Sequence, residues 1–211
     1  MLAGSCVGCD DQPMLQLLKD FYEDETFEGV DAEGASLAGK EFVGCTFKSV
    51  RMQQSRWQGA RLEECTFEAC DLTGMNPSQL ALRGVKFLRC KLMGVSWTAL
   101  QPFPDVEFVE CLMRYSSFVG TELTAARFTA CSLPDSSFVE ANLSKAIFKD
   151  CEMPQTQFDQ CALIGADFSS SRGVFFDVAK NRSKGARISV ETAALMAVAR
   201  GLRVSGYERN K

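Results

Sequence analysis

The chain has 211 residues, of which 46% are hydrophobic and 24% are charged, and its formal net charge is −4. This composition is typical of a globular domain with a sizeable core and excludes a chain that is disordered throughout. Histidine is absent, which excludes a Ser-His-Asp triad, a Cys-His dyad and the commonest metal ligand.

The first 34 residues are interpreted as an N-terminal tail and cap. They begin MLAGSCVGCDDQ, without a basic region followed by an apolar segment, so no signal peptide is predicted and a cytoplasmic location is expected. Cys6 and Cys9 form a CxxC pair, but without a second pair or a histidine they do not predict a zinc site. The largely apolar residues 14–18, together with Phe21, predict a short helix that covers the first turn of the next segment.

A period of five residues governs residues 35–171. A large apolar residue recurs at almost every fifth position from Leu37 to Trp97 and, after a slip of one residue, from Phe103 to Phe168. The residue two positions earlier is nearly always small (Cys, Ala, Ser, Thr or Val), and Lys40 is an exception that we assign to a frayed end. An α-helix repeats every 3.6 residues and a strand every 2.0, so neither produces this pattern.

A second period of twenty lies within the first, since Phe47, Phe67 and Phe87 are twenty residues apart. Four pentapeptides therefore form one square turn, and like residues stack on the same wall. The sequence predicts an all-β fold, a right-handed quadrilateral parallel β-helix of about seven turns with a C-terminal α-helix. At the inter-strand spacing of ~4.8 Å the rod is roughly 34 Å long.

Two segments interrupt the pattern, residues 75–81 and 98–104. In the first, Pro77 stands in the apolar series, so a bulge or an outward loop is expected. In the second, one extra residue precedes Phe103, so the rod is expected to bend or to push out a short loop. Four residues of the two segments are candidate contacts to a partner: Asn76, Gln79, Gln101 and Phe103.

Residues 172–211 are interpreted as a capping and dimerisation segment. Ser189 is a suitable N-cap for a helix at about 190–200, and Gly201 can end that helix. The helix has more apolar residues than one cap requires, which predicts that it joins two copies of the chain. The candidate dimer interface consists of Ile188, Val190, Ala194, Leu195, Val198, Leu202 and Val204.

Eight of the ten cysteines occupy the small inward position of the repeat. A buried thiol behaves as a small hydrophobe, and parallel stacked side chains do not aim at one another, so filling the core is the favoured interpretation. Redox chemistry in the cysteine column remains the alternative. No catalytic residue, metal site or cofactor is predicted.

Charge follows the chain in blocks of alternating sign. The net charge is −8 for residues 1–35, +4 for 40–97, −6 for 100–170 and +6 for 172–211. The outward acidic residues of the third block are Asp105, Glu107, Glu110, Glu122, Asp135, Glu140, Asp150, Glu152, Asp159 and Asp167. This block carries one net charge per ~2.8 Å, against one per ~1.7 Å in duplex DNA. It either imitates DNA in diluted form or keeps the rod soluble. The basic last block is expected to pair with the acidic surface or with a partner, not with nucleic acid.

The run ASLAG-KEFVG-CTFKS-VRMQQ-SRWQG-ARLEE-CTFEA-CDLTG resembles the pentapeptide-repeat family. Within that family the chain is most similar to topoisomerase-protecting members of the Qnr, mycobacterial and albicidin-immunity types. The nearly complete free-standing solenoid, the segment KLMGVSWT at residues 91–98 and the apolar helix after the repeats carry this narrower resemblance. A long early loop of the Qnr type is missing, which favours immunity to a natural peptide-like poison over protection from fluoroquinolones.

The resemblance implies a DNA-mimicking homodimer, joined at its C-termini, that binds DNA gyrase or topoisomerase IV and protects the enzyme from poisons. Such a protein confers antibiotic resistance and performs no catalysis. A structural interaction scaffold unrelated to topoisomerases is the alternative, and an enzyme or redox protein that uses the cysteine column is the third hypothesis.

Overall fold

The computed structural model describes residues 18–207, which form a right-handed quadrilateral parallel β-helix followed by one α-helix. The predicted periods are confirmed, because Phe47 pairs in parallel with Phe67 and Phe67 with Phe87. In chain order the strands are β1 (Phe21–Glu23), β2 (Thr26–Glu28), β3 (Glu41–Val43), β4 (Thr46–Lys48), β5 (Arg61–Glu63), β6 (Thr66–Glu68), β7 (Ala81–Arg83), β8 (Val85–Leu88), β9 (Val106–Val109), β10 (Ser117–Val119), β11 (Arg127–Thr129), β12 (Ser137–Val139), β13 (Ile147–Lys149) and β14 (Gln157–Asp159), and the helix is α1 (Val190–Ala199).

The strands lie on the walls of a square tube, which we number in chain order from β1. The first wall holds β1, β3, β5 and β7, and the second holds β2, β4, β6, β8, β9, β11 and β13. The third wall is a series of single bridges from Asp31 to Arg172, and the fourth holds β10, β12 and β14 in its later half. Only the second wall is a continuous sheet through the region of the slip.

The middle residue of each pentapeptide points inward and fills the tube. On the second wall the rings of Phe47 and Phe67 stack with centroids 4.5 Å apart, and those of Phe128 and Phe148 are 4.6 Å apart. The aromatic column continues to Phe168 and is buried along its length. Each stacked pair contributes about 0.5–1.5 kcal/mol beyond the burial of its area. The core is therefore one continuous stack that stiffens the rod.

Most corner residues, two positions after the middle residue, adopt the left-handed backbone conformation. Gly120 has φ 65° and Ala130 has φ 51°, so glycine and other residues share this position. A non-glycine residue there costs roughly 1–2 kcal/mol. The cost is offset by a hydrogen bond to the next turn, such as that from the Ala130 N–H to the Lys149 carbonyl at 2.7 Å.

The coil extends beyond the predicted limits of 35 and 171 at both ends. It begins with β1 at Phe21, about one turn earlier, and single bridges continue it to Arg187. Phe21 therefore lies in a strand and not in the predicted capping helix, while residues 14–17 of that helix, and Cys6 and Cys9, lie outside the described residues. The less regular first turn, with Ala32 at a middle position, hides this turn from a search for large apolar residues.

Residues 75–81 continue the coil, so the predicted bulge or loop is wrong. Pro77 is buried at the middle position, and Met75 and Leu80 are buried on either side of it. These two side chains are larger than the usual Cys or Ala and compensate for the small proline ring. The fourth wall keeps its register, since the Trp57 N–H donates to the Asn76 carbonyl at 2.9 Å.

The slip at 98–104 pushes a short loop outward from the first wall. Phe103 is 83% exposed, so it does not join the stack as the apolar series predicts but lies on the surface, as a candidate partner contact should, and Pro104 is buried beside it. Prolines at 102 and 104 have no N–H for the ladder, so the Asp105 N–H makes the bond to the Leu82 carbonyl at 3.0 Å. The second wall is not bent, because Phe87 and Phe108 still stack at 5.3 Å.

The C-terminal helix begins after its predicted cap. The Ser189 hydroxyl accepts a hydrogen bond from the Thr192 N–H at 3.1 Å. At the other end, Gly201 has φ 83°, and Leu202 donates its N–H to the Ala197 carbonyl at 3.1 Å, which completes a Schellman motif. Lys40 also has a structural role, because its ammonium group donates to the Lys19 carbonyl at the start of the coil.

The corner geometry predicts opposite effects for exchanging glycine and alanine. We expect Gly120→Ala to lower the free energy of unfolding by about 1 kcal/mol, because Cβ strains the left-handed backbone, and Ala130→Gly to raise it by a similar amount. Ala146→Gly, at a buried inward position with ordinary φ, is the matched control and should destabilise. Urea unfolding of the three variants tests this, and equal effects of Ala130→Gly and Ala146→Gly would contradict the corner assignment.

Candidate partner-binding surface

Functional groups on this rod have to lie on its outer surface, because the interior is filled. None of the ten predicted acidic residues is buried. Three are paired with basic side chains: Asp135 with Arg114 at 2.9 Å, Asp159 with Lys180 at 3.4 Å and Asp167 with Arg187 at 2.9 Å. The basic C-terminal segment thus pairs with the last part of the acidic block, as predicted.

Asp167 shows how such a carboxylate is held on the wall. The hydroxyl and backbone N–H of Ser169 bond to it, and the Arg187 guanidinium lies beside it. Together these contacts lower the pKa of the Asp167 carboxyl below its usual value. The Asp167 carboxylate is therefore occupied by contacts within the coil and is not free to bind a partner.

The other seven predicted acids make no ion pair with any residue between 18 and 207. They do not form one stripe, since the repeat distributes them over several walls and corners. Asp105, Glu107 and Glu122 lie on or between the first two walls and line a common notch. Glu110, Asp150 and Glu152 lie at the corner of the second and third walls and on the third wall, and Glu140 is alone at the opposite corner. These positions follow from the repeat.

The notch lies where the outward loop leaves the first wall and has a volume of about 550 Å³. Phe103, Pro104 and Asp105 form one side of it. Lys86, Glu107 and Arg127, neighbours in register on β8, β9 and β11, form the other side. Glu64 and Glu122 also line it. Sequence reasoning missed Glu64, Lys86 and Arg127, because only the twenty-residue period combined with the slip brings them to this place.

The four predicted loop contacts are only partly brought together. Gln79 and Gln101 are adjacent, because the Gln79 N–H donates to the Ala99 carbonyl and the Gln101 N–H to the Leu80 carbonyl. Phe103 follows on the same outward loop. Asn76 lies on the fourth wall, where its side-chain oxygen accepts from the Ser78 N–H at 3.1 Å.

The predicted dimer residues divide between the coil and the outside. Ala194 is buried within the chain, and the half-buried Ile188 packs against the core, so both residues contribute to the cap of the coil. Val190 and Leu202 are exposed, at 88% and 62%. Leu195, Val198 and Val204 are half-buried. Phe175 and Val178, which sequence reasoning missed, add exposed apolar surface at this end of the coil.

The eight cysteines in the described part of the chain are free and buried. Five of them, twenty or twenty-one residues apart, form the cysteine column: Cys70, Cys90, Cys111, Cys131 and Cys151. Each thiol of this column donates to a carbonyl of the preceding turn, as Cys111 does to Phe87 at 3.2 Å. Burial raises the pKa of the Cys65 thiol to about 11, and a hydrogen bond with Cys111, together with burial, raises that of Cys90 to about 12. The nucleophilic thiolate is therefore disfavoured at these two positions. A hydrogen bond with Cys131 lowers the pKa of the Cys151 thiol, which is nevertheless buried like the others. The burial of all eight favours the core-filling interpretation.

Residues 18–207 contain no group of three or more Cys, Asp or Glu side chains that could hold a metal ion. In the same residues, no helix has the length and apolar character to cross a bilayer.

Comparisons with known proteins agree with the geometry of the coil. A family model of pentapeptide repeat regions matches residues 40–118 and 80–158. Full-length QnrB1, a plasmid-mediated fluoroquinolone resistance protein, matches at 17% identity and TM-score 0.48, over 86% of this chain and 90% of that chain. HetL, involved in heterocyst differentiation regulation in the cyanobacterium Nostoc, matches at 14% identity and TM-score 0.36, over 78% and 87%. No curated protein matches the chain.

The burial of the thiols predicts that they do not react in the folded protein. The raised pKa values of thiols such as Cys65 and Cys90 predict that the protein loses stability at alkaline pH. In a variant with Cys6→Ser and Cys9→Ser, we expect no thiol to react with Ellman's reagent in the folded protein and all eight to react after unfolding. An unfolded thiol ionises near pH ~8.5, so these groups contribute full stability below that pH and lose it as the pH rises toward their folded values. Rapid reaction of any thiol in the folded variant would contradict the assignment.

Proposed function

The chain belongs to the pentapeptide-repeat family, and we propose that it is a DNA-mimicking protein that binds a type II topoisomerase, DNA gyrase or topoisomerase IV, and protects it from poisons. The observation that carries the proposal is a stiff rod without an internal cleft, whose later half carries seven carboxylates free of ion pairs among the described residues. It would act in the cytoplasm as a binding protein, without catalysis or cofactor.

The position of the free carboxylates supports this proposal. Lys180 and Arg187 of the C-terminal segment neutralise Asp159 and Asp167. Within the acidic block, the carboxylates that are left for a partner therefore lie between Asp105 and Glu152. A protein groove that binds duplex DNA is lined with Lys and Arg, which make the same charge-assisted bonds with carboxylates as with phosphates.

The C-terminal end supports a homodimer. The exposed apolar side chains of α1 and of the preceding loop are continuous with the cap of the coil, and burying them between two copies would remove them from water. Two coils joined end to end would double the length of the rod. A partner that binds a long straight duplex would then meet acidic surface on both sides of the joint.

The resemblance to the albicidin-immunity type favours a natural peptide-like poison as the compound that is countered. QnrB1, described as a fluoroquinolone resistance protein, makes fluoroquinolones the second class to test. The alternative function is a structural scaffold for other proteins, which the scattering of the free acids over several walls favours. HetL, a pentapeptide repeat protein involved in heterocyst differentiation regulation, has a role of another kind.

Gyrase supercoiling assays test the proposed function. In the presence of albicidin or ciprofloxacin, we expect the protein to restore supercoiling as its concentration rises, because it displaces the poisoned DNA complex. A fourfold charge reversal in the later half should abolish the effect: Glu107→Lys, Glu110→Lys, Glu122→Lys and Asp150→Lys. The matched control reverses four exposed acids of the first turns: Glu23→Lys, Asp24→Lys, Glu33→Lys and Glu63→Lys.

Two outcomes would contradict the proposal. If the unaltered protein gives neither rescue nor inhibition of gyrase or topoisomerase IV, the scaffold alternative is favoured. If both charge reversals have the same effect, the later half is not the binding surface.

The dimer is tested by a single substitution in α1. We expect Leu195→Asp to give monomers in sedimentation equilibrium, because an uncompensated carboxylate in an apolar interface is costly. Ala193→Asp, about 200° around the helix, should leave dimers. Circular dichroism shows whether both variants stay folded, and a folded Leu195→Asp dimer would exclude α1 as the interface.

A further inference from the structure

Phe103 is an unusual residue for the surface of this coil. Its side chain is 83% exposed, whereas its backbone, with φ 59°, has the left-handed conformation common to the corners of the coil. Prolines at 102 and 104 flank it and restrict the backbone of the loop. A large aromatic side chain held in water on a restricted loop indicates a contact outside the chain, because its exposure does not stabilise the coil.

The outward loop does not disturb the pairing of the other walls. The extra residue is confined to the first wall, since Lys91 still bridges Leu112 on the third wall and Ser96 still bridges Ser117 on the fourth. The loop is therefore presented by a rigid support. A loop whose backbone is already restricted loses little conformational entropy when it binds, which increases its contribution to affinity.

The charge of the adjacent notch limits what can bind there. Glu64, Asp105, Glu107 and Glu122 line it, against Lys86 and Arg127, so acids exceed bases by two. Glu107 is the neighbour in register of both basic residues. The carboxylates of Glu64, Asp105 and Glu122 line the rest of the notch. Nucleic acid phosphates would be repelled by this arrangement, whereas Lys or Arg side chains would be attracted.

We propose that Phe103 and this notch form a docking site for a protein surface that presents an apolar pocket next to Lys or Arg. The Phe103 ring enters the pocket, and the basic side chain enters the notch between Asp105 and Glu122. An aromatic anchor beside a charge-assisted contact is the usual composition of an interaction hot spot. The inference rests on the proposed function, since it makes this site the principal contact with the topoisomerase.

The chain offers a close control for the aromatic anchor. Tyr115 also has φ 59° and is 59% exposed, but it lies at the corner of the third and fourth walls, next to Arg114. In titrations of intact gyrase, followed by surface plasmon resonance, we expect Phe103→Ala to bind at least ~10-fold more weakly than the unaltered protein. Tyr115→Ala should bind within ~2-fold of the unaltered protein, which is the effect of a neutral contact.

The acidic part of the notch is tested with a second matched pair. Asp105→Lys with Glu122→Lys should weaken gyrase binding at least ~10-fold more than Asp150→Lys with Glu152→Lys, which makes the same change in net charge on another part of the rod. A Phe103→Trp variant gives a direct readout, because its emission should shift to shorter wavelength when gyrase is added. Thermal unfolding of each variant shows whether the coil is intact.

The outcomes separate this inference from the proposed function. If the unaltered protein binds gyrase and Phe103→Ala binds equally well, the docking site is wrong and the proposed function stands. If the unaltered protein does not bind gyrase or topoisomerase IV, the proposed function fails and this inference falls with it. Stronger binding of the Phe103→Trp variant to duplex DNA than to gyrase would overturn the assignment of the site to a protein.

Discussion

The stacking of one large side chain per pentapeptide is the interaction on which the rest of the molecule depends. The Phe and Leu side chains fill the centre of the tube, and the small residue two positions earlier leaves them room. Each corner has to turn in the left-handed conformation to bring the next side chain inward. The strain at the corners is tolerable only because every turn pairs with the next along the whole coil. A rod built in this way has no internal cavity for a substrate, so its chemistry lies on the outer positions.

The repeat also explains why charges are scattered. Outward positions recur on the same wall only every twenty residues, so acids close in sequence are distributed around the tube. The structure pairs some of them with bases one turn away, as in Asp31 with Arg51 at 2.8 Å, which steadies neighbouring turns. Several free carboxylates gather where the repeat is broken. The notch beside Phe103 is such a place, and one extra residue on one wall creates it while the stack continues underneath.

The fold could be predicted from the sequence because the period of five repeats many times and each repetition supports the others. Three residues depart from what their spacing in the sequence predicts, each for a physical reason. Pro77 appeared incompatible with the coil, but the volumes of Met75 and Leu80 compensate for it inside the tube. Phe103 matched the apolar series by spacing, but two prolines without N–H groups place it outside. Ala194 matched the dimer stripe, yet the cap of the coil already covers it.

The candidate surface was predictable only in part. The repeat predicts that the acidic residues point outward. The ion pairs and the residues that line the notch depend on which side chains are neighbours in register on either side of the slip. Lys86, Glu107 and Arg127 lie in register because β8 and β9 are separated by twenty-one residues and not twenty. A shift of one residue in that pairing would place different side chains beside the notch, and the composition of the chain does not reveal which register the strands adopt.

Distances along one corner test the central claim, a straight coil that passes through the slip unchanged. Nitroxide labels would be attached to a Cys6→Ser, Cys9→Ser background with Ser49→Cys and a second cysteine at Ala130, Asp150 or Ser170, and measured by double electron–electron resonance. These corners are four, five and six turns from Ser49, so the account predicts distances of about 19, 24 and 29 Å, rising evenly by the ~4.8 Å inter-strand spacing. Distances that do not rise evenly, or that depart together from these values, would contradict a coil that stays straight through the extra residue.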